Sequence, residues 1–330
     1  MMKRVLMAAA LAMCPVAGQT SPLDIFSDVY VFGDSLSDPG NLFDALTGMP
    51  ASPVLPLYPQ GQFTDGDAWA AQVGADFASA TNFAYGSARA APNGSIDFTF
   101  PNLFTPDPDD EITLGFDVPD FADQIALYKA SAPTLGPNPL AAVWFGGNDL
   151  RDALDAPDED AAKTVIARAI TSVASGVGDL VSEGFSNVAV FGAPNLGRIP
   201  EVLARGPDAA LAATAASASF NDTLRTILAP FSSTANISYV DIFGLFEEIA
   251  TPGSGLFTEL QNPCLTALLG GLVTDCSGYL FYDDIHPTDA AHALIAERFV
   301  APVAPVPLPA GGVLLLVGLG GLALLRRRPA

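Results

Sequence analysis

In "VYVFGDSLSDPGN" (29–41) a serine, Ser35, follows an apolar run and stands between acids. A serine hydroxyl is a weak nucleophile until a neighbouring base takes its proton. The chain has only 2 histidines, and both lie in "YDDIHPTDAAHALIAERF" (282–299). His286 precedes Pro287, a position disfavoured in helix, so it is expected on the loop feeding the last helix, which Thr288 or Asp289 can cap. His292 then falls inside that helix and is expected to be structural. A histidine base needs a carboxylate to hold its tautomer and stabilise the imidazolium. Asp283, three residues before His286, is the candidate, and Asp284 is expected to point elsewhere. Acyl transfer through a tetrahedral intermediate also needs donors where the oxyanion forms. One is the Ser35 N–H, expected at a helix start where donors are free. A second is the N–H of Gly86 in "NFAYGSARA" (82–90), where a missing side chain permits close approach. A third is the Asn148 amide in "WFGGNDL" (144–150), although Gly-Gly-Asn-Asp is also strong turn chemistry.

These groups must be positioned by the elements around them. Short apolar runs alternate with longer helical stretches. "DVYVFG" (28–33), "AAVWFGG" (141–147), "SNVAVFGAP" (186–194) and "ISYVDIF" (237–243) read as strands. Segments 65–78, 121–131, 158–184, 208–229 and 288–300 read as helices, with Asp158 a cap and Gly184 a stop for the longest. Such alternation predicts a parallel sheet with right-handed crossovers and helices on both faces. Working residues then sit beyond the carboxyl ends of the strands, where Ser35 and Asn148 fall. The Pro- and Asp-rich segment 90–119 reads as a surface loop or lid. Its Phe98, Phe100, Phe104 and Phe116 would line an acyl pocket or form the loop's own small core. Its acids lack the regular spacing of a calcium loop.

Composition sets further bounds. The chain carries 36 acidic and 14 basic residues, a net charge of −22. Residues 1–20 read as a secretory signal: basic Lys3 and Arg4, an apolar run, then small residues. Ala310 to Leu325 is an uncharged 16-residue run followed by Arg326, Arg327 and Arg328, and it is expected to anchor in the membrane behind a Pro-rich linker. Between these ends the charge is 9 − 36 = −27. That excess opposes binding to nucleic acid and to anionic membranes. It suits an exported protein. Cys264 and Cys276 are close in sequence, and in an exported context a disulfide between them is expected. Two histidines and two cysteines are too few for a zinc site, and no glycine-rich phosphate loop follows a strand. No metal or cofactor is expected.

Four of these stretches, in order, resemble the sequence blocks of the GDSL, or SGNH, hydrolases. Ser35 matches the serine of the first block and Gly86 the glycine of the second. Asn148 matches the asparagine of Gly146-Gly147-Asn148-Asp149, and Asp283 and His286 match the D-x-x-H-P block. Ser87 stands where a second glycine is common, and Gln62 where arginine is frequent. The segment "GQFTDGDAWAAQVG" (61–74) and the cysteine loop resemble those of the larger lipase-like members. The resemblance spans about Asp28 to Val300. It implies a three-layer α/β/α, flavodoxin-like sandwich and lipase/esterase or phospholipase-like hydrolysis of small-molecule or lipid esters, through an acyl-enzyme and a Ser35–His286–Asp283 triad, without metal or organic cofactor. An extracellular polysaccharide deacetylase and a catalytically inactive surface-displayed binding protein are the alternatives. The tail 302–330 is similar to a VPLPA-type C-terminal sorting signal of Gram-negative bacteria, which implies a membrane-anchored intermediate, a sorting protease and release or transfer to the cell surface. The resulting organisation is signal 1–20, hydrolase domain 21–301 and sorting segment 302–330.

Overall fold

Four short apolar runs form a parallel sheet: β1 (Asp28–Gly33), β4 (Pro139–Trp144), β5 (Asn187–Phe191) and β6 (Asn236–Val240), in the order β1-β4-β5-β6. The computed structural model describes residues 23–48, 57–58, 61–73, 81–92, 94–101, 111–251 and 253–303. The expected signal, most of the sorting segment and Phe104 lie outside them. Beyond β1 the segment 81–85 runs alongside as a rudimentary further strand. Val31 N–H donates to Thr81 O, and Phe83 and Tyr85 N–H donate to Val31 O and Gly33 O. Including it, the order is that of a doubly wound sheet, whose ligand crevice lies where the winding reverses.

The strands are apolar on both faces because both faces are covered. Register places Phe32 beside Val143, so Trp144 faces the other side. On one side Tyr30 and Phe32 meet Phe121 and Tyr128 of α3 (Phe121–Ala130). There α3 packs on α5 (Glu159–Ser182), which packs on α7 (Pro207–Leu228). On the other side Trp144 stacks on Phe191, which meets Trp69 of α2 (Trp69–Gln72) and Phe299 of α10 (Asp289–Val303). The expected α/β/α sandwich is present. The Asp158 side chain caps α5 by accepting the Ala161 N–H at 2.8 Å, and Gly184 ends that helix at φ 108°.

Four readings need correction. Segment 90–119 is not a structureless loop: β2 (Ser95–Pro101) and β3 (Glu111–Asp117) pair antiparallel, Ser95 opposite Asp117. The run 237–243 splits at Asp241, whose side chain accepts the Gly244 N–H at 3.0 Å and starts α8 (Ile242–Ile249). The helix expected from residue 65 begins only at Trp69, after an extended Ala68, and α2 ends at Gln72; 74–78 of the expected span lie outside the described residues. The last helix runs two residues into the expected linker, with Pro302 in its final turn.

Candidate active site

The site lies beyond the carboxyl ends of β1 and β4. Gly33 ends β1 held by Gln124 of α3, which accepts its N–H at 2.9 Å and donates to its carbonyl at 2.8 Å. Asp34 to Ser37 then close a turn, with Ser37 N–H donating to Asp34 O at 3.0 Å. Ser35 sits in this turn rather than at a helix start, since α1 begins only at Asn41 (Asn41–Thr47). Its N–H is nevertheless without an acceptor among the described residues. Asn148 lies in the first turn of α4 (Gly147–Leu154), not in a free loop; Gly146 at φ 112° turns the chain from β4 into that helix.

From the opposite end of the sequence the segment before α10 brings in the imidazole. His286 Nε2 is 2.8 Å from Ser35 Oγ, and Nδ1 is 2.7 Å from Asp283 Oδ2. Asp283 Oδ1 accepts the N–H groups of Ile285 and His286 at 2.8 and 2.7 Å. That four-residue turn makes a three-residue spacing sufficient for contact. Burial alone would raise the Asp283 carboxyl, but the His286 ring and these backbone donors bring it down to about 2. It is therefore an ionised partner at neutral pH. Asp284 is exposed. With Ser35 and His286 only 8% and 7% exposed, the contact is nearly closed to water.

Sequence reasoning missed the residues that brace this line. Tyr58 donates its hydroxyl to Asp283 Oδ2 at 2.9 Å, and the Phe63 ring lies 5.0 Å from the imidazole. Both are far from Asp283 and His286 in sequence, and neither has a local signal. His292 is structural as expected. It is buried, and its Nδ1 accepts the Trp69 N–H at 3.2 Å.

The oxyanion candidates divide. The Asn148 Nδ2 donates one N–H to Ala88 O at 2.9 Å and has another uncommitted among the described residues. The Gly86 N–H, expected to be free, donates to Asp38 Oδ2 at 2.6 Å. Asp38 is buried and also accepts the N–H groups of Gly40, Asn41 and Leu42. Glycine at 86 has a packing reason too: an added Cβ would stand 2.5 Å from the Phe63 ring. Ser87, where the family often has glycine, is held at φ 66°, a left-handed conformation that suits glycine better. Burial pushes three carboxyls here upward, Asp34 to about 7, Asp38 to about 6 and Asp149 to about 6.

Beside Ser35 a recess is lined by Leu36, Pro194, Leu196, Ile199, Phe246 and Ile285, with Asn148 and Arg151 on its polar side. Of the phenylalanines expected to line an acyl pocket or a small core of their own, Phe116 packs against the main core. Cys264 and Cys276 form the expected disulfide, 5.4 Å between Cα atoms. It closes a loop, begun by α9 (Cys264–Leu269), that is bonded to the segment carrying Asp283 and His286 through Cys264 and Leu265 N–H, which donate to Phe281 O and Tyr282 O.

Residues 29–299 match the family model for the GDSL-like lipase/acylhydrolases. The chain belongs to that family. Membership makes it an enzyme that hydrolyses ester bonds, and the parallel sheet between helix layers is this family's fold. Among relatives, the phosphatidylcholine-sterol acyltransferase of Aeromonas hydrophila is 26% identical over 323 residues, covering 82% of this chain and 88% of that one. The anther-specific proline-rich protein APG of Arabidopsis thaliana is 31% identical over 181 residues, 50% of this chain and 33% of its own length. An acetyl xylan esterase structure aligns over 84% of this chain and 99% of its own at 11% identity and a TM-score of 0.38, too low to carry function across.

Proposed function

We propose that this GDSL-family hydrolase works through an acyl-enzyme on Ser35. His286 Nε2 takes the Ser35 proton as Oγ attacks the ester carbonyl, and Asp283 holds the ring and stabilises the imidazolium. The oxyanion is met by the Ser35 N–H and the second Asn148 amide N–H, while Gly86, its N–H engaged by Asp38, acts by making room for Phe63. The protonated His286 then delivers its proton to the leaving alcohol. Water, activated by the same ring, releases the acid. The observation that carries the reading is the continuous line from Ser35 Oγ to His286 at 2.8 Å and on to Asp283 at 2.7 Å.

The recess is small, about 30 Å³, and its apolar wall suits an acyl group; the match to the phosphatidylcholine-sterol acyltransferase over most of both chains supports lipid-ester chemistry ahead of polysaccharide deacetylation. The acyltransferase relative supports a second possibility at the same site, in which an alcohol replaces water as acceptor. Ser35→Ala is expected to lower p-nitrophenyl ester turnover on the order of 10⁴-fold or more with an unchanged thermal midpoint. A fluorophosphonate probe is expected to label only the wild type. Full turnover in that variant would reject the mechanism. Export rests on the character of residues 1–20, and membrane anchoring followed by proteolytic release on 302–330. Mass analysis of the protein recovered from the medium and from the membrane of the native host tests both ends.

A further inference from the structure

An asparagine serving an oxyanion must present its NH2 and not its carbonyl. The two ends of the amide are nearly the same size, so a half-turn about the last side-chain bond would aim a partial negative charge at the forming anion. On α4, one turn after Asn148, Arg151 addresses this problem. Its Nη1 donates to Asn148 Oδ1 at 3.3 Å, while Asn148 Nδ2 donates to Ala88 O at 2.9 Å. After a flip, carbonyl would face carbonyl and NH2 would face a guanidinium. Both contacts therefore favour the same orientation.

Arg151 is itself held. Its Nε donates to Glu201 Oε2 at 2.8 Å, and Glu201 Oε1 accepts from Arg205 at 2.7 Å, which in turn pairs with Asp155. Glu201 belongs to α6 (Pro200–Ala204), and its backbone N–H donates to Asp284 O at 2.9 Å, within the turn that carries Asp283 and His286. One side chain and its own backbone thus tie the asparagine arm to the imidazole arm. Charge argues the same way. Asp34 and Asp149 flank the site as buried carboxyls, and either, when ionised, repels an oxyanion. Arg151 is the cation on the described wall of the recess.

We infer that Arg151, braced by Glu201, is a positioning residue that locks the Asn148 amide in its donor orientation and supplies positive potential to the oxyanion. The inference rests on the proposed acyl-enzyme chemistry. The Ser35→Ala control separates the two: if that variant stays active, the mechanism fails, and if it is dead, the outcomes below concern Arg151 alone.

The test is steady-state hydrolysis of p-nitrophenyl esters by the full chain carrying Asn148→Ala, Arg151→Met, Arg151→Lys, Glu201→Gln and the double variant Asn148→Ala/Arg151→Met. Loss of one oxyanion donor lowers kcat about 10²- to 10³-fold, which sets the expectation for Asn148→Ala. Arg151→Met is expected to lower kcat about 10-fold with KM within about two-fold, the pattern of an interaction made in the transition state. Arg151→Lys is expected to recover part of that loss through charge alone. Glu201→Gln, which leaves the arginine present but less firmly held, is expected to fall between Arg151→Met and wild type. The double variant is expected to be slower than Asn148→Ala by clearly less than the Arg151→Met factor, because the part of the Arg151 effect that acts through the amide is already lost. Multiplying losses in the double variant, a raised KM with unchanged kcat, or wild-type kcat in Arg151→Met each overturn the inference. Should Arg151→Met fail to fold, Glu201→Gln and Arg151→Lys decide it, and wild-type kcat in both rejects the role.

Discussion

At the scale of single residues, the site rests on local motifs joined by distant braces. Ser35, Asp283 and His286 were legible because each lies in a short segment whose turn geometry the sequence dictates. A proline after His286 keeps it out of helix, and Asp283 reaches back over three residues to bind two N–H groups of its own turn. Tyr58, Phe63 and Asp38 carry no such local signal. Gly86 was legible as special, but for the wrong reason: Phe63 occupies the space a side chain would take, and Asp38 holds the N–H. Gly86→Ala forces the Phe63 ring to move, and that ring lies against the His286 imidazole. The variant is expected to lose about 1–3 kcal/mol of stability from overpacking and at least part of its kcat, read by urea unfolding and ester kinetics together. Wild-type values in both would mean that the ring yields without cost.

Among the elements, the parallel strands and long helices were visible as uniform apolar runs and as a capped 3.6-residue period. The β2–β3 hairpin was not, because its Pro and Asp content outweighed the alternation in "SIDFTF" (95–100). Nor was the strand-like segment 81–85, which owes its extended shape to pairing with β1. The junction of α2 and α10 gives a prediction at this scale. His292 of α10 accepts the Trp69 N–H through Nδ1, so its proton is on Nε2, which has no partner among the described residues. Burial first, and His286 second, lower its pKa from 6.5 to about 3. The unfolded chain therefore binds a proton that the folded chain refuses. This cost is absent well above pH 6.5, grows as pH falls below it and levels off near 3. The wild type is expected to lose about 2 kcal/mol more than His292→Asn, which keeps an acceptor but cannot titrate, between pH 8 and pH 5. Urea unfolding at the two pH values measures this, and parallel losses would remove His292 as the cause.

For the whole molecule, charge balance dominates. The segment between the two ends carries a net charge of 9 − 36 = −27, and eight of its nine basic side chains are already in ion pairs with carboxylates. Exposed pairs contribute only about 0–1 kcal/mol each. Repulsion among the unpaired acids therefore outweighs them, and salt screens it. Raising NaCl from about 10 mM to about 0.5 M shortens the screening length from roughly 30 Å to under 8 Å. The urea midpoint is expected to rise across that range. A falling midpoint would mean that the ion pairs outweigh the repulsion.

By itself the sequence determined the fold class, which serine, histidine and aspartate come within hydrogen-bond reach of one another, and the pairing of two cysteines. Each depends on residue type, period or a few neighbouring backbone angles. Tertiary structure decided which donors remain free for an oxyanion, what fills the space beside Gly86, and how Glu201 links Arg151 to the Asp283–His286 turn. Those facts depend on segments far apart in the chain arriving within hydrogen-bond reach, and no local pattern encodes such an encounter.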